Sequence, residues 1–386
     1  MELSTVIMTH PRRLDRAERL AQRHPELNPD IIVDPQPDAE PSALRTAAVA
    51  WSHVGDTASH HLVLQDDAIL CRDFQKLVGN AIEQYPEAAL ALFTEWSSLT
   101  AHHLRTVAAA GAVWTEVLDD YAPTVAMVLP AGLAREFGAA ATEHGPDWHP
   151  ADDVSLSTFL MERHVPVLCR IPTLVEHDHD GSLTGNAGQG PRHSVCFADD
   201  VTETGDDERL GLADLLPTFS HYLMPDFGSR PFVAQRRPVP TTRADWWIRP
   251  TTEWLAANGF NTAQVTDLAR SEIQRWQRDN AGPTDPILDR LWLQPFAWGA
   301  CLTKPAVRLY TPTGIPIPSP SGLTDPAELD RLATRPIVRR ALATLPQAAL
   351  HPVTDRATLE RLAEPLTELM WDAARHGCEH ALEVMP

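Results

Sequence analysis

Across residues 3–171, apolar runs of four to seven residues alternate with stretches of helical periodicity, and this alternation limits the possible folds more than any other feature. Leu3–Thr9 (LSTVIMT), Asp30–Asp34 (DIIVD), His61–Gln65 (HLVLQ), Ala88–Phe93 (AALALF), Thr124–Leu129 (TVAMVL) and Val165–Ile171 (VPVLCRI) read as strands. Leu14–His24, Ser42–Val54, Asp73–Gln84, Ala131–Glu143 and Asp153–Arg163 read as helices, with Ser42 and Asp73 as N-caps. Strands and helices alternating in this way make βαβ units and a mostly parallel sheet flanked by helices, an α/β fold.

The pattern changes after residue 185. Gly185–Asp207 is rich in Gly, Asp, Ser and Thr and reads as a loop or linker. The remainder reads as mainly helical: Thr262–Asp279 has an apolar stripe, Pro286–Ala300 a bend at Pro295, and Thr358–His376 closes the chain. Lys304–Pro326 holds six prolines and reads as an irregular crossing. A length of 386 residues suits two domains, drawn here as 1–200 and 201–386, the second a mainly helical accessory domain.

The formal charge is 32 − 52 = −20, which argues against nucleic acid or an anionic lipid surface as a partner. Lysine occurs only at Lys76 and Lys304, a bias expected of a GC-rich bacterial genome. Five cysteines, none in a CxxC, fit neither a zinc cluster nor a disulfide framework and suit a reducing cytoplasm. The opening MELSTVIMTHPRR lacks the pattern of a signal peptide, and no apolar run approaches the ~20 residues of a membrane span.

The sharpest chemical feature is Gln65-Asp66-Asp67, directly after a strand. Adjacent carboxylates at the carboxyl edge of a parallel sheet sit where open α/β folds bind ligands. They suit a hard divalent ion such as Mg²⁺ or Mn²⁺, although an Asp pair also suits a simple turn. Pro172-Thr-Leu-Val-Glu-His177 runs into Asp178-His179-Asp180-Gly181-Ser182, which offers imidazoles and a phosphate-binding turn, or else a solvated loop. Trp148-His-Pro-Ala-Asp152-Asp153 precedes a helix. Asp152 can be its N-cap, and Asp153 can act as a general base. Thr9-His10-Pro11-Arg12-Arg13 ends the first strand with guanidinium groups suited to phosphate, while Arg13 equally suits a surface position. Asp34 can accept from a ribose or base, or start the DPQPD turn.

Taken in order, VIMTHPRR, HHLVLQDDAIL with Asp73-Phe74 after it, WHPADDVSLSTFL and PTLVEHDHDGSL resemble the GT-A-type glycosyltransferases, nearest the lipooligosaccharide and collagen-type group. The resemblance covers residues 1–185. It implies a GT-A-like (Rossmann-like) catalytic domain that moves a sugar from a nucleoside-diphosphate sugar to a hydroxyl acceptor with Mn²⁺ or Mg²⁺. It implies Asp67 as metal ligand with Asp66 beside it, and His177 as a late metal ligand or pyrophosphate contact. Asp153 would be the base, with Asp152 the second choice. Thr9, His10 and Arg12 would lie on the nucleotide and Asp34 near its base or ribose. Arg45 and Trp51 would support the pocket, with a core role the simpler one for Trp51. Gln65 departs from the family, which has Glu or Asp there, so it brings no charge and can contact sugar or ribose instead. The rival readings are a nucleotidyltransferase-like enzyme and a degenerate scaffold that only binds.

Overall fold

The computed structural model describes residues 2–40, 42–145, 151–178, 191–201, 212–215, 218–222, 230–236, 246–283, 287–304, 307–311, 313–317 and 322–384. Its elements run β1 (Leu3–Thr9), α1 (Leu14–Arg23), β2 (Asp30–Val33), α2 (Ala43–Ser52), β3 (His60–Gln65), β4 (Ala68–Leu70), α3 (Phe74–Gln84), β5 (Ala89–Ala91), α4 (Leu99–Ala109), β6 (Trp114–Glu116), β7 (Ala126–Pro130), α5 (Ala131–His144), α6 (Asp152–Glu162), β8 (Val167–Arg170) and β9 (Val175–His177). The chain continues through β10 (Leu212–Leu215), β11 (Thr218–Tyr222), β12 (Arg230–Arg236), β13 (Trp246–Pro250), α7 (Thr251–Ala257), α8 (Thr262–Asp279), α9 (Ile287–Leu302), β14 (Val307–Tyr310), β15 (Pro316–Ile317), α10 (Pro326–Ala333), α11 (Pro336–Leu350) and α12 (Arg356–Val384). Among the described residues no helix is long and apolar enough to cross a membrane.

Two compact units result. The first comprises Met1–Glu95 and Glu116–Asp199, the second Trp96–Thr115 and Asp200–Pro386. Within the first unit the strands of the central α/β sheet run in the order β8–β5–β7–β3–β1–β2. β1 is parallel to β2 and β3, β5 is parallel to β8, and β7 runs antiparallel between β3 and β5. Strands buried on both faces read as unbroken apolar runs, and β3 and β7 do so. Helices α2, α5 and α6 pack together beside the sheet. The α2 N-cap is Ser42, whose hydroxyl accepts from Arg45 N. Trp51 is 1% exposed and meets Phe137 edge-on at 6.2 Å, so it belongs to the core and not to a pocket. Beside it the buried His61 imidazole is pushed down to about 4 by desolvation.

Several expectations need correction. Asp73 does not cap α3 through its side chain; it takes a left-handed backbone (φ 58°) and makes no capping bond. Asp152 does not cap α6 either: it is the first helical residue, and Ala151 stands before it. The stretch read as a linker is built into the first unit where it is described. Thr173 N donates to Cys196 O, Val195 N donates to Thr94 O, and Val195 and Cys196 are fully buried. An apolar Val-Cys-Phe run inside a polar stretch explains why composition misled; residues 185–190 and 202–207 lie outside the described ones.

The second unit is not simply helical. β11–β12–β13 form an antiparallel sheet, and β14 pairs antiparallel with both β10 and β15. The last pairing falls in the proline-rich crossing, where Thr311 N donates to Ile315 O and closes a tight turn. Helix α4 escapes a periodicity reading because every residue from Thr100 to Ala109 is buried. A helix buried all round needs cover on all sides, and β11 and α11 supply it within this unit. Arg105 fixes α4 to α11, donating from Nε to Ala341 O at 2.8 Å and from Nη2 to Thr344 Oγ1 at 3.1 Å.

Helices α9 and α12 make the tightest packing of this unit, backbone against backbone. A Cβ on Gly299 would lie 1.9 Å from Ala374 O, and one on Gly377 would lie 1.8 Å from Phe296 O. Only glycine permits that approach. Pro295 stands inside α9, as the sequence suggested, and Pro365 stands inside α12.

Candidate functional site

The pairing of β1 with β3 sets the site. Met8 is opposite Gln65 in a parallel register, so Thr9 and Asp66 leave their strands side by side at the carboxyl edge. Thr9 Oγ1 donates to Asp66 Oδ2 at 2.5 Å. β2 ends level with them: Asp34 N donates to Thr9 O at 2.9 Å. Asp34, Thr9 and Asp66 therefore stand in a row across three strand ends, a consequence of parallel pairing between segments far apart in sequence.

Arg13 closes the row. After β1 the chain makes a single 3-10 turn, Pro11–Arg13, with Arg13 N donating to His10 O at 2.8 Å. The turn brings the Arg13 guanidinium back over the acids. Its Nη1 lies 3.0 Å from Asp66 Oδ1 and 3.0 Å from Asp67 Oδ2. Its side chain is 16% exposed, against 7% and 9% for the two acids, so the charges are largely removed from water. The sequence offered Arg13 as a surface residue and preferred Arg12; the structure leaves Arg12 exposed, with its backbone N–H donating to His10 Nδ1.

His177 arrives from the other side. β9 pairs antiparallel with β4, placing His177 opposite Ala68, and Asp178 N donates to Asp67 O at 2.8 Å. His177 Nε2 then lies 3.4 Å from Asp67 Oδ2, and the ring tilts over Phe93 at 6.0 Å. Burial raises the Asp67 carboxyl, but His177 and Arg13 outweigh it and hold the group below its ordinary value. Asp66 goes the other way: burial lifts it and the Asp67 charge adds, against hydrogen bonds from Thr9 and Arg13. Two neighbouring acids with opposite shifts favour one firm negative charge at Asp67.

Glu176, which the sequence passed over, anchors this side. Its Oε1 accepts from His177 N at 2.7 Å and Ser194 N at 2.9 Å, and its Oε2 accepts from Ser194 Oγ at 3.0 Å. Burial acts to raise its carboxyl, yet His193 and these donors bring it below the ordinary value. His179, Asp180, Gly181 and Ser182 lie outside the described residues, as do Trp148, His149 and Pro150.

The acids that open α6 join the site through Thr124 and Val125, which lead into β7. Gln65 N donates to Val125 O, and Gln65 Nε2 donates to Thr124 Oγ1 at 3.3 Å. The Thr124 hydroxyl in turn acts on Asp152, whose carboxyl it draws down. Asp152 is 5% exposed, and its Oδ2 has no hydrogen-bond partner among the described residues. Burial, and then the adjacent Asp153 charge, push its carboxyl up to about 6. Asp153 is half-buried, and its Oδ1 accepts from Val154 N at 2.7 Å. Gln65 thus takes part in a side-chain chain that ends on Asp152.

Asp34 and Arg45 face each other. Arg45 Nε and Nη2 donate to the two oxygens of Asp34, both at 2.8 Å, and Gln36 N adds a third bond at 3.1 Å. This fork ties the end of β2 to α2. The Arg45 hydrogen bonds hold the Asp34 carboxyl below its ordinary value.

For a divalent ion the donors are few. Among the described residues no group of three or more His, Cys, Asp or Glu side chains is arranged to hold a metal. Two side chains do fit: Asp67 Oδ1 is buried with no hydrogen-bond partner, and His177 Nε2 is 3.4 Å from the other oxygen of the same carboxylate. A carboxylate with an imidazole is a Mn²⁺-compatible pair that leaves most coordination positions to other oxygens.

No protein-family model matches the chain, and no curated protein matches it.

Proposed function

We propose that the first unit is a glycosyltransferase of GT-A-like design, taking a sugar from a nucleoside-diphosphate donor to a hydroxyl acceptor. The observation that carries the reading is the meeting of Thr9, Arg13, Asp66, Asp67 and His177 at the carboxyl edge of β1 and β3. Ligands of open α/β sheets bind at that edge, and one firm charge at Asp67 with an imidazole beside it suits an ion-bridged diphosphate.

Asp67 and His177 would hold Mn²⁺ or Mg²⁺, which neutralises the charge developing on the departing diphosphate. Thr9 keeps Asp66 fixed, so that carboxyl is organised before substrate arrives. Arg13 also offers the diphosphate a guanidinium fork. His10 and Arg12, on the same turn, face the nucleotide in this reading, and the Asp34–Arg45 pair borders its base or ribose.

For the base we favour Asp152 over Asp153. The Asp153 carboxylate is engaged at the start of its own helix. Asp152 keeps a buried oxygen without a hydrogen-bond partner among the described residues, and Thr124 and Gln65 lie between it and the Asp67 end of β3. A buried carboxylate titrating near 6 takes a proton from a hydroxyl more readily than an ordinary surface Asp.

A screen of nucleotide sugars with Mn²⁺ tests the proposal. Free nucleoside diphosphate is expected, and it should vanish in Asp67→Asn. Release of pyrophosphate would instead indicate attack at phosphorus by a nucleotidyltransferase. Binding of no nucleotide at all would leave a scaffold.

A further inference from the structure

We infer that Arg13 guards the cation site: its guanidinium holds Asp66 and Asp67 closed to a divalent ion, and it releases them only when an incoming diphosphate takes the guanidinium instead. The identity of that diphosphate rests on the glycosyl-transfer reading; the competition between Arg13 and a metal does not.

The first argument is a census of carboxylate oxygens. Asp66 Oδ2 is taken by Thr9, while Asp66 Oδ1 and Asp67 Oδ2 are taken by Arg13. Among the described residues, of these four oxygens Asp67 Oδ1 alone has no hydrogen-bond partner. One buried carboxylate oxygen with an imidazole is a poor trap for a hard cation, which takes six or more oxygens or waters. A bidentate grip by Asp67 would need the oxygen that Arg13 now uses. An ion about 2.0–2.6 Å from that oxygen would also stand against a like-charged guanidinium in a site largely closed to water.

The second argument is where Arg13 sits. It ends a 3-10 turn with no buried residue, so the turn is not wedged into the core. Its side chain is the most exposed of the three charged groups. Arg13 can therefore leave the acids without dismantling β1 or β3, but a guanidinium drawn from two carboxylates needs another anion. A diphosphate supplies one with matching fork geometry and at the same time provides the oxygens that the metal lacks. Metal and diphosphate should then bind each other's protein complex more tightly than the empty protein, by equal factors. Gln65 strengthens the case: where a third acid would draw a metal in unaided, the chain carries a neutral amide bonded to Thr124.

The test is Mn²⁺ binding to the full chain, followed by loss of the free aquo-Mn²⁺ resonance. It compares wild type, Arg13→Gln and Arg13→Lys, each alone and with inorganic pyrophosphate, UDP or GDP, corrected by protein-free titrations. Arg13→Gln is expected to bind Mn²⁺ alone at least tenfold more tightly than wild type. Pyrophosphate is expected to tighten Mn²⁺ binding at least tenfold in wild type and under threefold in Arg13→Gln. Arg13→Lys, which keeps the charge but not the fork, should fall between. If Arg13→Gln does not fold, wild type and Arg13→Lys decide. The inference is overturned if Arg13→Gln binds Mn²⁺ no more tightly than wild type, or if wild type binds Mn²⁺ equally well with and without pyrophosphate. Nucleoside diphosphates that do no better than pyrophosphate would overturn the glycosyl-transfer reading and leave the role of Arg13 standing.

Discussion

Thr9 Oγ1 donates to Asp66 Oδ2 over 2.5 Å, joining residues 57 positions apart through the parallel register of β1 and β3. Both are buried, at 4% and 9% exposure, so water cannot replace the bond. Thr9→Val keeps the shape and removes the donor. It should cost about 1–3 kcal/mol of stability, the usual penalty for a buried acceptor left unpaired. Thr9→Ser should cost much less. Urea unfolding at neutral pH measures both, and equal stability of Val and Thr would show that Asp66 finds another donor.

Asp152 gives a pH dependence whose sign follows from its environment. Its carboxyl is raised to about 6 in the folded protein, above the ordinary 3.8. The folded state then binds the proton more tightly than the unfolded chain, so this group's contribution to stability falls as pH rises from about 4 through about 6 and levels above that. Asp152→Asn should flatten the slope and raise stability near pH 7, by about 3 kcal/mol at ~1.4 kcal/mol per pKa unit. It should also abolish transfer while Asp153→Asn retains turnover. Denaturation at pH 4.5 and 7.5, with product assays of both variants, checks each part; an active Asp152→Asn removes it as the base.

The Asp34–Arg45 fork has the opposite sign. A carboxyl held below its ordinary value adds stability above about pH 4, and that stability is lost as pH falls through the depressed folded value. Arg45→Met should therefore shrink the stability difference between pH 7 and pH 3. At pH 7 the loss should be about 1–3 kcal/mol, since a buried carboxylate keeps only its bond from Gln36 N. Urea midpoints at the two pH values give the comparison.

Gly299→Ala and Gly377→Ala push a methyl into backbone carbonyls at 1.9 and 1.8 Å. Overpacking costs about 1–3 kcal/mol where neighbours can give way. A helix backbone yields less than a side chain, so each variant should reach or exceed the top of that range. Thermal melts of the full chain test this, and a melt within about 2 °C of wild type, the shift that only ~1 kcal/mol produces at this size, would mean that α9 and α12 separate easily.

The sequence revealed what depends on local pattern. β1, β3 and α8 are visible as apolar runs or stripes, and Ser42 as a cap, because each signal lies within one element. Asp67 and His177 were legible as site candidates because each ends an apolar run, and structure brings them within 3.4 Å. Arg13 was not, since its contact needs both the strand register and the direction of a three-residue turn. The chain from Gln65 through Thr124 to Asp152 was hidden for the same reason: β7 enters antiparallel, and nothing local announces its neighbour. α4 defeated periodicity by being buried all round, and β14 and β15 were masked by the prolines beside them.

The path of the chain through its two units has a practical consequence. Polypeptide leaves the first unit at Glu95, builds α4 into the second, returns at Glu116 and departs again after Asp199. A gene cut after codon 200 would produce an amino-terminal protein carrying α4, buried on every side in the whole chain, stripped of β11 and α11. Such a fragment should aggregate when expressed alone, and excising residues 96–115 together with the carboxyl-terminal half is the better route to a soluble piece.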